Sequence, residues 1–149
     1  MAIKKILFCT DFSENSSPAR SKAVEFAKAF GAELFIVHVV NSRLLGYPSF
    51  ENKLPVDLAL LERNIQEGAQ EELESAAAEC RKKVSSVKTL LLTGSPAEEI
   101  VRFADDHSVD VIVMGTHGWT GIRHLILGST AENVVRSARC PVLTVRNPK

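Results

Sequence analysis

The sequence predicts an α/β protein built as an open five-stranded parallel sheet with helices on both faces, a Rossmann-like arrangement. Three observations carry that reading. Short, continuously apolar runs alternate with stretches whose apolar residues recur three and four apart, in the order βαβαβαβαβ. Strands separated by helices cannot close as hairpins, so they lie parallel with right-handed crossovers. The chain has 149 residues, enough for one domain of ordinary size spanning residues 1–149.

Ile3 to Thr10 reads as the first strand, and its run Ile6, Leu7, Phe8, Cys9 is apolar throughout, as a strand covered on both faces requires. Ser17 followed by Pro18 resembles an N-cap with proline at the first helical position. Ala19, Ala23, Phe26, Ala27 and Phe30 then form one helical face, and Gly31 supplies the stop. Leu34 to Val40 is the second buried strand. The following stretch, residues 41–55, lacks periodicity and carries Gly46, Pro48 and Pro55, which predicts a loop that could act as a lid. A long helix runs from about Val56 to Lys83, with Leu58, Leu61, Ile65, Ala69, Leu73, Ala76 and Cys80 as a core-facing stripe. Strand Lys88–Thr93, helix Ala97–His107, strand Val109–Met114, helix Thr130–Ala138 and strand Val142–Val145 complete the order. Cys140-Pro141 opens the last strand, where a missing backbone donor is tolerated.

Composition narrows the function class. Eighteen basic residues balance eighteen acidic ones, so the chain lacks the strong positive field that non-specific binding to nucleic acids or anionic membranes requires. No apolar run reaches the roughly 18 residues of a membrane span, and the N-terminal apolar stretch is too short for a signal peptide, which predicts a cytoplasmic protein. Cys9, Cys80 and Cys140 are odd in number and lack CxxC spacing, so they read as buried free thiols. Cys9, at a strand end, is also the position where a redox sensor could sit, although nothing near it in sequence suggests a depressed pKa.

Ligands of open parallel sheets bind at the carboxyl ends of the strands. Gly115, Gly118, Gly121 and Gly128, half of the eight glycines, fall at such an end and run into a helix. Gly115 and Gly118 let backbone amides approach an anion with no Cβ in the way, and Gly128 leads into Ser129 at the helix start. Ser129 and Glu132 also have the S-x-x-E spacing of a capping box, which satisfies the same amides, and the spacing alone leaves both readings open. No Walker A lysine follows Gly128 and no GxGxxG is present, so neither a P-loop NTPase nor a nicotinamide or flavin dehydrogenase is supported.

Gly115-x-x-Gly118, nine residues, then Gly128-Ser129 resembles the nucleotide-binding signature of the universal stress protein family. TDFS at 10–13, HVV at 38–40, GSPAEEIV at 94–101, VDVIVMGTHG at 109–118 and CPVLTV at 140–145 are similar to the same family in order, covering essentially the whole chain. The resemblance implies an adenine nucleotide alpha hydrolase-like domain that dimerises through the C-terminal strand. It also implies an ATP site, with Mg²⁺ or Mn²⁺ held mainly by the phosphates and no metal ligands from the chain. Carried over residue by residue, Asp11 lies near the nucleoside, and Cys9 and Val39 frame the adenine through backbone contacts. Gly115 meets the ribose, while Gly118, Gly128, Ser129 and Thr130 hold the phosphates. Thr10, Met114 and His117 complete the implied nucleotide-binding set. Trp119 departs from the pattern, because many members carry a basic residue there, and Arg123 is the candidate substitute donor.

Other charged residues read more plainly. Asp11 is also placed to cap the turn that follows it, and His38 reads as a satisfied core histidine. His117 and His124 lack metal-pair spacing, and His124 reads as a surface residue. Arg20, Lys22, Arg136 and Arg139 read as solvated helix faces. The expected function is an ATP-binding regulator whose nucleotide state tunes binding to a protein partner. The alternatives are a slow ATP hydrolase or phosphoryl or adenylyl transferase, and a nucleotide-free interaction module. The loop holds no evident general base and no lysine clamp, so hydrolysis is expected to be slow at most.

Overall fold

Alternation along the strands decides what each face of the sheet meets. The computed structural model describes residues 2–44, 57–118 and 126–148. Its elements are β1 (Lys5–Cys9), α1 (Ser17–Phe30), β2 (Glu33–Asn41), α2 (Leu58–Arg81), β3 (Val87–Gly94), α3 (Pro96–Asp106), β4 (Val111–Gly115), α4 (Ser129–Ser137) and β5 (Val142–Val145). All strand pairs are parallel, in the spatial order β3-β2-β1-β4-β5. Ile6 and Phe8 of β1, with Leu34 and Ile36 of β2, face Ala19, Ala23 and Ala27 of α1 and Leu73, Ala77 and Cys80 of α2. Leu7 and Cys9, with Phe35 and Val37, face Ile100 and Phe103 of α3 and Ala131 and Val134 of α4. Two cores on opposite sides of one sheet are what continuously apolar central strands need. Among the described residues no helix is long and apolar enough to cross a membrane.

The structure corrects several local expectations. A 3₁₀ turn over Glu14–Ser16 precedes α1, so Ser16 rather than Ser17 is the N-cap. Gly31 ends α1 as expected, at φ 62° in the left-handed region where a Cβ is costly. Phe30 is exposed rather than packed, and Val24 takes its place in the core. The α2 stripe is buried only in its second half: Leu73 and Cys80 are enclosed, whereas Leu61 and Ile65 are exposed. Length explains this, since 24 helical residues span about 36 Å and the eight residues of β3 about 26 Å. The first turns of α2 therefore outrun the sheet. Asp57, whose carboxylate accepts from Leu60 N at 3.1 Å, caps this helix. Of the expected loop over 41–55, Asn41 closes β2 and 42–44 form a 3₁₀ turn. Residues 45–55, and with them the lid reading, lie outside the described residues, as do Trp119, Gly121, Arg123 and His124.

Candidate nucleotide site

The chain steps outward from β1 through β2 to β3, then returns to lay β4 on the other flank of β1. That reversal makes the β1/β4 carboxyl end the switch point at which open α/β sheets bind ligands. A cavity of about 280 Å³ opens there. All eleven residues of the implied nucleotide-binding set line it: Cys9, Thr10 and Asp11 after β1, Val39 in β2, Met114 and Gly115 ending β4, then His117, Gly118, Gly128, Ser129 and Thr130. Lining residues not foreseen are Ser16, Val37, His38, Pro96, Ile100, Thr116 and Ala131. Pro96 and Ile100 follow the carboxyl end of β3, a location the strand-end rule marks without naming residues.

Two kinds of surface meet in this cavity. Val37, Val39, Ile100 and Met114 form an apolar wall. The glycine-rich backbone and the first turn of α4 form another part of its lining. Gly128 is the N-cap of α4, at φ −71° and ψ 166°, and it has no side chain to cap with. Ser129 is therefore the first helical residue, and the capping box is not formed. Glu132 instead holds Arg136 at 2.7 Å, while its amide starts the helix ladder on Gly128 O at 2.9 Å. The first-turn amides carry the positive end of the helix dipole, so this wall suits an anion. Among the described lining residues there is no lysine or arginine. Backbone rather than side chains supplies the attraction.

Gly128 is pinned by its own amide, which donates to Thr116 O at 2.7 Å. At Gly115 the need for glycine comes from inside the protein: a Cβ there meets the backbone oxygen of Asn15 at 2.8 Å. At Gly118 a Cβ meets Asp11 Oδ2 at 2.7 Å. The other oxygen of Asp11 accepts from Ser13 N at 2.9 Å and from Ser13 Oγ. Asp11 thus caps its turn with Oδ1, as one sequence reading expects, and it also lines the cavity.

The turn after β1 is fixed by a chain of hydroxyls. Ser16 Oγ donates to Ser13 O at 2.8 Å. Its single proton is then spent, so Thr10 Oγ1 is the donor across the 3.1 Å contact to Ser16 Oγ. Thr10 Oγ1 in turn accepts from Phe12 N at 3.0 Å. Phe12 sits at φ 65°, a conformation that costs a bulky L-residue about 1–3 kcal/mol. Its ring lies 4.3 Å from that of His38. His38 Nδ1 is 2.8 Å from Thr10 O, and a carbonyl only accepts, so Nδ1 carries the proton. His38 is satisfied, as its place in an apolar strand predicts, and it also borders the cavity.

Burial pushes the Cys9 thiol far up from its ordinary value, with Cys140 adding to the shift. A thiol held protonated by burial is a poor nucleophile, which argues against the redox-sensor reading of Cys9. Thr116 Oγ1 and His117 Nδ1 are paired at 2.9 Å.

Residues 2–146 match the family model described as the Universal stress protein family. Universal stress protein MJ0531 of Methanocaldococcus jannaschii is 39% identical over 147 residues, covering 98% of this chain and 84% of that protein. The solved structure of MJ0577, a protein of the same organism, superposes with a TM-score of 0.81 at 34% identity, covering 100% of this chain and 99% of the other. The universal stress protein from Archaeoglobus fulgidus, solved in complex with dAMP, superposes with a TM-score of 0.67 at 26% identity over 98% of this chain and all of that one.

Proposed function

The chain belongs to the universal stress protein family, and on that premise we propose that it is a cytoplasmic, ATP-binding regulator whose nucleotide state tunes its hold on a protein partner. The observation that carries this reading is the pairing, in one cavity, of an apolar wall with a helix N-terminus whose cap is a glycine. A purine fits against Val39 and Met114 beside Cys9, the ribose near Asp11 and Gly115, and the phosphates between Gly118 and the amides of Ser129 and Thr130. A relative solved with dAMP supports an adenine nucleotide in this family.

The chain's own donors suit a metal that arrives with the nucleotide. Among the described residues no group of three His, Cys, Asp or Glu is placed to hold an ion, and Asp11 is the carboxylate on the cavity wall. On this reading the phosphate oxygens supply most ligands of Mg²⁺ or Mn²⁺. Turnover is slow, because Asp11 Oδ1 is engaged by Ser13 and the described wall offers no cationic side chain to a transferring phosphoryl group.

Calorimetric titration with ATP and Mg²⁺, alongside thermal melting, tests the proposal. Ligand at a hundred times its dissociation constant adds about 2.7 kcal/mol to the stability of the folded state. Absence of both heat and stabilisation up to millimolar ATP overturns it. Phosphate release that is fast, and that disappears in a folded Asp11→Asn variant, replaces regulation by catalysis.

A further inference from the structure

Asn15, in the 3₁₀ turn after β1, touches both glycines that open the loop. Its backbone oxygen lies 2.8 Å from the point that a Cβ on Gly115 would occupy. Its side-chain Nδ2 donates to Gly118 O at 2.8 Å. A carbonyl oxygen cannot donate, so the Asn15 amide has one permitted orientation, which turns Oδ1 away from Gly118. There it accepts from Asn147 Nδ2 at 3.1 Å. Asn147 is half-buried between exposed Arg146 and Pro148, so a polar segment beyond β5 turns one side chain inward to reach this contact. A second tie runs in parallel, from Thr116 N to Val145 O at 3.2 Å.

We infer that Asn15 is a positioning residue for the nucleotide site and that Asn147 holds it in place, so the segment after the last strand tunes nucleotide affinity. The inference rests on the nucleotide reading above. Neither asparagine is among the residues lining the cavity, so each acts through Gly118. The physical route is short: Asn147 fixes the amide plane of Asn15, which fixes the peptide of Gly118, one of the groups proposed to face the phosphates. Because β5 is an edge strand of the sheet, anything that pairs with it lies within a few residues of this route.

The test compares Asn15→Asp, Asn147→Asp, Asn147→Ala and the double variant Asn15→Asp with Asn147→Ala by ATP titration, with urea unfolding of the nucleotide-free proteins. Aspartate at 15 keeps the shape and removes the donor to Gly118; aspartate at 147 removes the donor to Asn15. Each single change is expected to weaken ATP by about two- to tenfold, the size of one net hydrogen bond. The double variant is expected to be no weaker than Asn15→Asp alone, because the two bonds form one path. The carbonyl-carbon resonance of Gly118 is expected to move in Asn147→Asp without nucleotide present. Unchanged affinity in both Asn147 variants overturns the inference, as do losses that multiply in the double variant. If the parent chain binds no ATP, the nucleotide reading falls and the affinity claim with it. The Gly118 resonance then decides the remaining link, and a resonance that does not move shows that Asn147 does not hold this loop.

Discussion

Asp11 Oδ2 lies 2.7 Å from the point that a Cβ on Gly118 would occupy. The end of β1 and the loop after β4 are thus in contact through one carboxylate oxygen, and the absence of a side chain at residue 118 is what lets them meet. Gly118→Ala is expected to swing Asp11 off Ser13, costing about 0.5–1.5 kcal/mol for the hydrogen bonding disturbed. Urea unfolding measures that loss, and ATP titration of the same variant is expected to show a larger proportional one. A Gly118→Ala variant that binds ATP as the parent does would show that Asp11 and Gly118 are not set by each other.

The two glycines at 115 and 128 separate stability from binding. A Cβ on Gly115 strikes backbone, the Asn15 oxygen at 2.8 Å, which has no rotamer with which to yield. Gly115→Ala should destabilise by about 1–3 kcal/mol, as overpacking does. At Gly128 the nearest atoms are 3.4 and 3.5 Å away, ordinary contacts. Gly128→Asp supplies the missing N-cap and should stabilise by a few tenths of a kcal/mol. It also places a carboxylate where the phosphates are proposed to lie. Melting temperature is expected to hold or rise while ATP binding is lost; retention of binding would remove the phosphates from the start of α4.

Thiol chemistry should be silent in the folded state. Burial raises the pKa of Cys9, with Cys140 next, and burial also raises Cys80 and Cys140. An aromatic disulfide reagent near pH 8 is expected to label none of the three quickly, Cys140 first as the half-exposed one, and all three in guanidinium. Stability depends on pH accordingly: below the unfolded thiol value of about 8.5 the full contribution is present, and above it stability falls because only the unfolded thiols ionise. Rapid labelling of Cys9 in native protein would contradict its enclosure.

Acid acts through Glu33. The Lys88 ammonium, 2.8 Å away, together with Ser86, holds this carboxyl below its ordinary value, against an opposing contribution from burial. The folded state gives up that proton more readily, so the stabilisation is present above about pH 4.3 and lost as pH falls through the lowered folded value. Lys88 is largely exposed, so Glu33→Gln should cost under about 1 kcal/mol at pH 7. Chemical denaturation should show that difference shrinking in acid and in high salt. A difference that grows in acid would refute the pairing.

The outer edge of β5 tests the dimer through the C-terminal strand that the family resemblance implies. Pro141 O accepts from Ile112 N in β4 and Val145 O from Thr116 N just after it, so by alternation the backbone of Thr144 faces outward. Thr144→Pro leaves the β4 ladder intact and removes an outward donor. Light scattering is expected to show a shift from dimer toward monomer with β-sheet content retained; an undisturbed dimer places the interface elsewhere.

Sequence periodicity reached far into this protein because it reports local facts. The alternation of runs made the five strands and four helices legible, and a strand-end rule located the cavity without coordinates. The glycine spacing then brought together residues that line one wall. What it could not report is what stands opposite a given face. The α2 stripe continues past the point where the sheet stops, so Leu61 and Ile65 keep the pattern and lose the cover. S-x-x-E spacing fits a capping box, but the helix begins one residue earlier than that motif needs, and Gly128 takes the cap. Asn15 and Asn147 carry no spacing signal at all, because 132 residues separate the partners of their hydrogen bond. By itself the sequence determined which residues form strands, helices and the glycine-rich stretch at the end of β4, since those depend on neighbours a few positions away. Only the tertiary structure decided why Gly115 and Gly118 must be bare and what steadies them, since a backbone oxygen and a carboxylate reach them from distant parts of the chain.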